Sequence, residues 1–265
     1  MLGLGNTLVG GAPSPEFDPT QISGLEVWLK AGTGMTSNQD ASGTGHTKST
    51  AAGDIADTDR INSWADQSGN GNDATQTTGT DMPKWDSAAA DAGAAHWDSS
   101  VRWLDLDSAI SINANQDFTV IIRWKSYGLA GRSIIGNDSS NMIKIVNNTK
   151  FQVMLGGANN FDEGDGSVFV TTAYYTSVLT RSNGSTGTLK VNIDGGAFSD
   201  KDWDSGEGAT DADATSLSNI GSGDDDQNEW RGHISDILVY VGTALTATDR
   251  DNIYTYIANQ TQEQS

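Results

Sequence analysis

The sequence predicts an all-β fold: a two-sheet antiparallel jelly-roll sandwich, with one short C-terminal helix and an extended N-terminal arm. Three observations predict it. Brief apolar runs alternate with polar residues, most clearly from Phe118 to Lys125, where Phe118, Val120, Ile122 and Trp124 share one face and Thr119, Arg123 and Lys125 the other. Turn-forming residues punctuate the runs, and Gly alone supplies 31 of 265 residues. Helical periodicity is confined to one segment near the C-terminus. Many short strands with frequent turns bury a core most readily as two packed layers.

The elements follow in order. Residues 1–24 read as an arm, Gly-rich and then carrying Pro13, Pro15 and Pro19, three of the four prolines. Its apolar residues Leu2, Leu4, Leu8, Val9 and Phe17 are candidates for docking on a partner. Residues 25–265 form the domain. Leu25 to Lys30 alternates, with Leu25, Val27 and Leu29 on one face. Residues 31–60 are small and polar and read as a long loop. Ile61 to Trp64 is a short strand, 86–100 a loop, and Val101 to Leu106 a strand. Further strands are expected at Ser133–Gly136, Met142–Val146, Lys150–Leu155, Ser167–Thr171, Tyr174–Arg181, Gly187–Ile193 and His233–Val241. The helix opens with Thr246 as N-cap and Asp249 three residues on, and Leu245 precedes the cap as an apolar staple. Ile253, Tyr256 and Ile257 then recur at helical spacing.

Composition narrows the partners. Asp plus Glu number 35 against 15 Lys plus Arg, a net charge of −20. Nucleic acid is excluded as a partner because phosphate contacts need basic side chains. An anionic membrane surface is excluded for the same reason. No stretch approaches transmembrane length, and Met1 to Asn6 lacks the basic and apolar regions of a secretory signal. Cysteine is absent, so no disulfide framework or thiolate metal site is expected.

Five segments resemble the laminin-G-like branch of the concanavalin A-like lectin/glucanase superfamily. They are Gly24 to Ala31, Trp64 to Ala74 with its Asp66-Gln67-Ser68-Gly69-Asn70-Gly71-Asn72 turn, Phe118 to Val120, Leu189 to Gly195 with an Asp-Gly turn, and Trp230 to Tyr240 followed by Ala244, Leu245 and the helix. The resemblance implies the jelly-roll fold and loop-end cation sites, and it is compatible with lectins, glycosidases and passive structural modules alike. The lack of cysteine beside a Gly/Pro arm is similar in organisation to structural proteins of tailed phages, marine ones in particular. That implies a virion component on the particle's outer surface, a capsid decoration, head fibre or tail part, whose partners are other virion proteins and whose glycan contacts are host polysaccharide. The alternative is a carbohydrate-binding module of a microbial extracellular protein.

Candidate chemistry is read residue by residue. The superfamily's glycosidases carry a Glu-x-Asp-x-x-Glu run, which is missing; Glu occurs at Glu16, Glu26, Glu163, Glu207, Glu229 and Glu263. Asp105 and Asp107 share a strand face and read as a polar face. His46, His96 and His233 show no metal-ligand spacing. An enzyme is therefore not expected. Asp66, Asn70 and Asn72 offer clustered oxygens for Ca²⁺, or else an Asx-turn network without an ion. Asp162, Asp165, Asp224, Asp225, Asp226 and Asn228 lie in two more acidic stretches. Trp85, Trp97, Trp203 and Trp230 neighbour polar loops and are candidates for stacking on a sugar, whereas Trp28, Trp64, Trp103 and Trp124 sit in strand patterns and read as core.

Overall fold

The computed structural model describes residues 17–88, 93–98, 102–128, 131–147, 150–155, 159–163, 169–171, 173–182, 188–194, 214–222 and 229–260. The strands are β1 (Leu25–Lys30), β2 (Met35–Gln39), β3 (Gly45–Ser49), β4 (Arg60–Trp64), β5 (Ala74–Thr75), β6 (Lys84–Asp86), β7 (Ala94–Trp97), β8 (Leu104–Ile112) and β9 (Phe118–Ser126). They continue as β10 (Arg132–Asp138), β11 (Asn141–Asn147), β12 (Lys150–Leu155), β13 (Asn159–Glu163), β14 (Tyr175–Ser182), β15 (Thr188–Ile193), β16 (Thr215–Ile220) and β17 (Gly232–Val241), and helix α1 (Ala247–Gln260) follows. The molecule is mostly β, and its strands link into one curled antiparallel sheet.

The spine of the sheet is the pair β9–β17, where Phe118 to Ser126 runs against Gly232 to Val241. β14 adds to the other edge of β9, and β15 to β14. Two strands share the second edge of β17: β7 pairs with Gly232 to Ile234, and β1 with Asp236 to Tyr240. From β7 the sheet runs on through β6 and β4 to β2 and β3. It then turns through β5 into a run of β8, β16, β10, β11, β12 and β13.

One apolar cluster draws on both halves of the curl. Val27, Val120, Ile122, Trp124, Ile237 and Val239 come from the spine, and Leu104, Ile110, Ile135, Ile143 and Ile220 from the opposite run. A second, smaller cluster lies on the other face of the spine, where Trp28, Ile121, Val178, Leu238 and Tyr240 meet Leu245, Ile253 and Ile257 of the C-terminal segment. α1 is thus a lid on half of that outer face. Each isoleucine it buries contributes roughly 1.5–3 kcal/mol by leaving water. Its N-terminus forms as the sequence predicts: Thr246 Oγ1 accepts from Asp249 N–H at 3.2 Å, and the Asp249 carboxylate accepts from Thr246 N–H at 3.2 Å. No helix among the described residues is long and apolar enough to cross a membrane.

Several expectations need correction. Residues 31–60 contain the hairpin β2–β3, because Met35 and Ser37 are buried between polar neighbours and supply a weak alternation. The stretch 86–100 contains β7, whose Ala94, Ala95 and Trp97 are buried. β8 begins at Leu104, and Phe169 to Thr171 is not in a strand. β13 and β16 were missed, being rich in Asn, Ser and acidic residues. Leu25 does not share a face with Val27 and Leu29: a bulge between Leu25 and Val27 shifts the register and turns Leu25 into the helix-side cluster. Trp103, expected in the core, is half-buried, its indole N–H donating to Asp105 at 3.2 Å.

Leu2, Leu4, Leu8 and Val9 lie outside the described residues. Phe17, expected to dock on a partner, packs edge-on against Tyr256 of the chain's own helix at 6.3 Å. Residues near it are likewise held by the domain, since Tyr240 Oη donates to Pro19 O and Val241 N–H to Gly24 O.

Candidate functional site

Strand pairing assembles a polar row on the part of the outer face that α1 leaves uncovered. Lys84 of β6 lies opposite His96 of β7, His96 opposite His233 of β17, and His233 opposite Lys125 of β9. Tyr174 extends the row, since Tyr175 pairs with Trp124 one position further along. Alternation sends the neighbours of these residues, Trp85, Ala95, Ile234 and Trp124, into the interior cluster. Asp86, two positions along β6, falls on the same side as the row, and Asp98, just past the end of β7, reaches Lys84 there.

His233 is the centre of the site and is 2% exposed. Its Nε2 lies 2.9 Å from Asp86 Oδ2, and its Nδ1 lies 2.8 Å from Tyr174 Oη. The tautomer with Nε2–H donating to Asp86 and Nδ1 accepting from Tyr174 satisfies both ring nitrogens. The Tyr174 ring stacks on His233 at 5.8 Å, with the planes 6° apart. His96 packs against His233 at 4.6 Å, and Tyr127 stands edge-on to both imidazoles. Tyr127 is the open side of the site: the residue is 46% exposed and its hydroxyl lies 3.2 Å from His233 Nε2.

Charge surrounds these rings. Lys125 Nζ sits over Tyr127 at 5.7 Å and Tyr174 at 5.5 Å, and Arg123 lies over Tyr174 at 5.6 Å. Asp98 accepts from Lys84 at 2.6 Å and pairs with Arg102 Nε at 2.7 Å. Burial holds the His96 imidazole below its ordinary value against the pull of Asp98 and Asp86. Burial, with His96 beside it, pulls His233 down to about 4. Both rings are therefore neutral at pH 7.

His96 and His233 lie far apart in the chain, so no spacing motif announces them. The absence of metal-ligand spacing in the sequence holds, but the pairing of β7 with β17 sets His96 opposite His233 in space. The residues singled out for sugar stacking are placed elsewhere. Trp97 and Trp230 are 0% exposed and Trp85 6%, all three in the interior cluster, so their position gives no face to a ligand. Trp203 lies outside the described residues, as do Asp165, Asp224, Asp225, Asp226 and Asn228; Asp162 is in β13. Asp105 and Asp107 stand exposed on β8, as a polar strand face.

Asp66, Asn70 and Asn72 come together, but around β1. Asp66 accepts from Trp28 N–H and Ser68 N–H on Oδ1, and from Ser68 Oγ–H and Asn72 N–H on Oδ2, at 2.6 to 3.1 Å. Asn70 and Asn72 donate to the carbonyls of Leu25 and Glu26 at 2.7 and 2.8 Å. The carboxylate expected to ligate Ca²⁺ is occupied by four donors of the chain itself, as in an Asx-turn network.

No family model matches the chain, and no curated protein matches it. Solved structures do. One is an arabinofuranosidase complexed with arabinofuranosyl-α-1,2-xylobiose, at 16% identity and TM-score 0.57, over 91% of this chain and 60% of that one. Another is domain 4 of an extracellular arabinanase of family GH43 from Geobacillus stearothermophilus, in complex with arabinotriose, at 17% identity and TM-score 0.54, over 88% of this chain and 98% of that one. A third is a Trypanosoma rangeli sialidase at 14% identity and TM-score 0.51, over 88% of this chain and 33% of that one. This chain thus spans about three fifths of the arabinofuranosidase and a third of the sialidase, and nearly the whole of the arabinanase domain. At these identities the likeness is one of fold alone, consistent with a concanavalin-like or related β fold. The expectation that the chain is not an enzyme, which leaned on the missing acidic run, does not stand: an arabinofuranosidase and a sialidase are among the structures that share the fold. The expected virion partners gain no support from these neighbours.

Proposed function

We propose that this chain is a glycan-recognition domain whose binding surface is the row around His233. The observation that carries the reading is Tyr127: a large aromatic residue, nearly half exposed, set against His96, His233 and Lys125, with Asp86 and Tyr174 on the far contacts of His233. A sugar offers an apolar face to such a ring and hydroxyls to the polar groups beside it. The reading is supported by the near-complete overlap in fold with an arabinanase domain that was crystallised with arabinotriose. With a net charge of −20, the surface disfavours acidic polysaccharides and suits neutral ones.

Two finer statements belong to the same reading. The curled sheet is two facing antiparallel layers of a jelly roll, which is supported by the single interior cluster fed from both of its halves. The setting is extracellular, where polysaccharide is met.

Titration calorimetry with neutral oligosaccharides, arabinotriose and xylobiose first, tests the proposal. Binding is expected, and Tyr127→Ala should weaken it by about tenfold, the loss of one stacking contact of roughly 1–1.5 kcal/mol. Val170→Ser, at an exposed residue outside the row, should leave it unchanged. Equal affinity in wild type and Tyr127→Ala would remove this surface from the account, and silence across a broad panel of neutral glycans would remove the function.

A further inference from the structure

We propose that Asp86, His96 and His233 form a binding site for a divalent transition metal of the zinc class. One carboxylate oxygen and one nitrogen from each imidazole lie within 4.8 Å of one another. A tetrahedral zinc centre, with bonds of about 2.0–2.2 Å, sets neighbouring ligand atoms about 3.3 Å apart. The edge from His233 Nε2 to Asp86 Oδ2 is already 2.9 Å. A closing of about 1.5 Å by the partly buried His96 and Asp86 side chains completes the triangle, and rotation about their side-chain bonds supplies it.

Four further observations point the same way. The strand register fixes His96 directly opposite His233, so the backbone holds the two imidazoles side by side. His96 Nε2 is buried with no hydrogen-bond partner among the described residues, a state that a buried nitrogen seldom keeps. Tyr174 Oη at 2.8 Å from His233 Nδ1 is the outer partner that a metal-bound imidazole needs: with metal on Nε2 the proton sits on Nδ1 and is donated to Tyr174. Both imidazoles are neutral at pH 7, so their lone pairs are available. Imidazole with carboxylate favours zinc, nickel, copper or iron over calcium and magnesium, which prefer all-oxygen sets. Three protein ligands leave a fourth position, and Tyr127 marks it as the solvent side. Lys125 opposes a cation here, whereas Lys84 is already paired with Asp98, which also holds Arg102.

The test uses the full chain, stripped with EDTA and dialysed. Zinc chloride should bind with one equivalent in calorimetry and raise Tm, and cobalt chloride should give the intense visible absorption of a tetrahedral site. His96→Gln and Asp86→Asn should each weaken zinc binding by about tenfold or more, and Tyr174→Phe by about tenfold through the imidazole it orients. His46→Gln should bind as wild type. Far-UV circular dichroism confirms that each variant is folded. A wild type without a zinc-dependent Tm shift at about 100-fold molar excess overturns the proposal, as does a colourless cobalt form. Zinc binding retained at full strength in His96→Gln or Asp86→Asn also overturns it. None of these readouts involves a sugar, so a failed glycan titration leaves the metal site standing, and the reverse holds too.

Discussion

His233 is buried against His96, and both rings titrate below the ordinary imidazole range. The groups that face them are Asp86, Asp98, Lys84, Lys125, Arg102, Tyr127 and Tyr174, of which only the two carboxylates favour protonation. The unfolded chain takes up these protons near pH 6.5, whereas folded His233 resists until about pH 4. Between those values the unfolded state binds more protons, so stability falls as pH falls. Tm should therefore decline from pH 7 towards about pH 5, above the ordinary carboxylate range, and His233→Gln should flatten that slope. A Tm constant across the window in wild type would show that the imidazoles titrate normally. At this scale the sequence was legible for cores and poorly so for sites. Alternation placed Trp64 and Trp124 inside. Polar neighbours in the sequence misplaced Trp97 and Trp230, because strand ends beside loops still point one side chain in two at the core. His96 and His233 carried no signal, since their meeting depends on a strand pairing that links distant parts of the chain.

Among the elements, those with strong alternation were the legible ones: β9, β12, β17 and α1 stand where apolar periodicity puts them. β2, β3, β13 and β16 are mostly polar, rich in Ser, Thr, Asn and other hydrophilic residues, and they exist because neighbouring strands offer them hydrogen bonds, which local sequence does not reveal. The turn after β4 shows a related effect. Its Asp66, legible either as a Ca²⁺ ligand or as part of an Asx-turn network, closes the edge of β1: Trp28 N–H donates to Asp66, and Gln67 N–H donates to Trp28 O at 2.7 Å. An edge strand left bare invites pairing with another chain, so this turn has a protective role. Asp66→Ala strands up to four donors and should cost about 2–4 kcal/mol, read as a lower midpoint in urea unfolding, with a rise in aggregation. Calcium chloride at millimolar concentration should leave the wild-type Tm in place. A calcium-dependent rise that Asp66→Ala abolishes would return the turn to the role of an ion site.

For the whole molecule, the antiparallel β character and the C-terminal helix were legible, because turn density and alternation act over the full length. The curl was not, because closure depends on short bridging strands such as β5, which is two residues long. The charge balance was fully legible and has a consequence for stability. Acidic residues outnumber basic ones by 35 to 15. Attraction within pairs such as Lys48–Asp59 and Lys84–Asp98, at 2.7 and 2.6 Å, weakens when salt is added. Repulsion among the excess acids weakens too, and it involves far more partners over longer distances. Screening shortens its reach from about 30 Å near 0.01 M salt to about 3 Å near 1 M. Close pairs survive that change better than the long-range repulsion does, so the net effect is stabilising. Tm should rise steadily from about 0.01 M to about 1 M sodium chloride, and potassium chloride should act alike because only ionic strength matters. A flat or falling Tm would mean that the acids are arranged among their few basic partners closely enough to cancel, and that the repulsion attributed to the net charge is not felt by the fold.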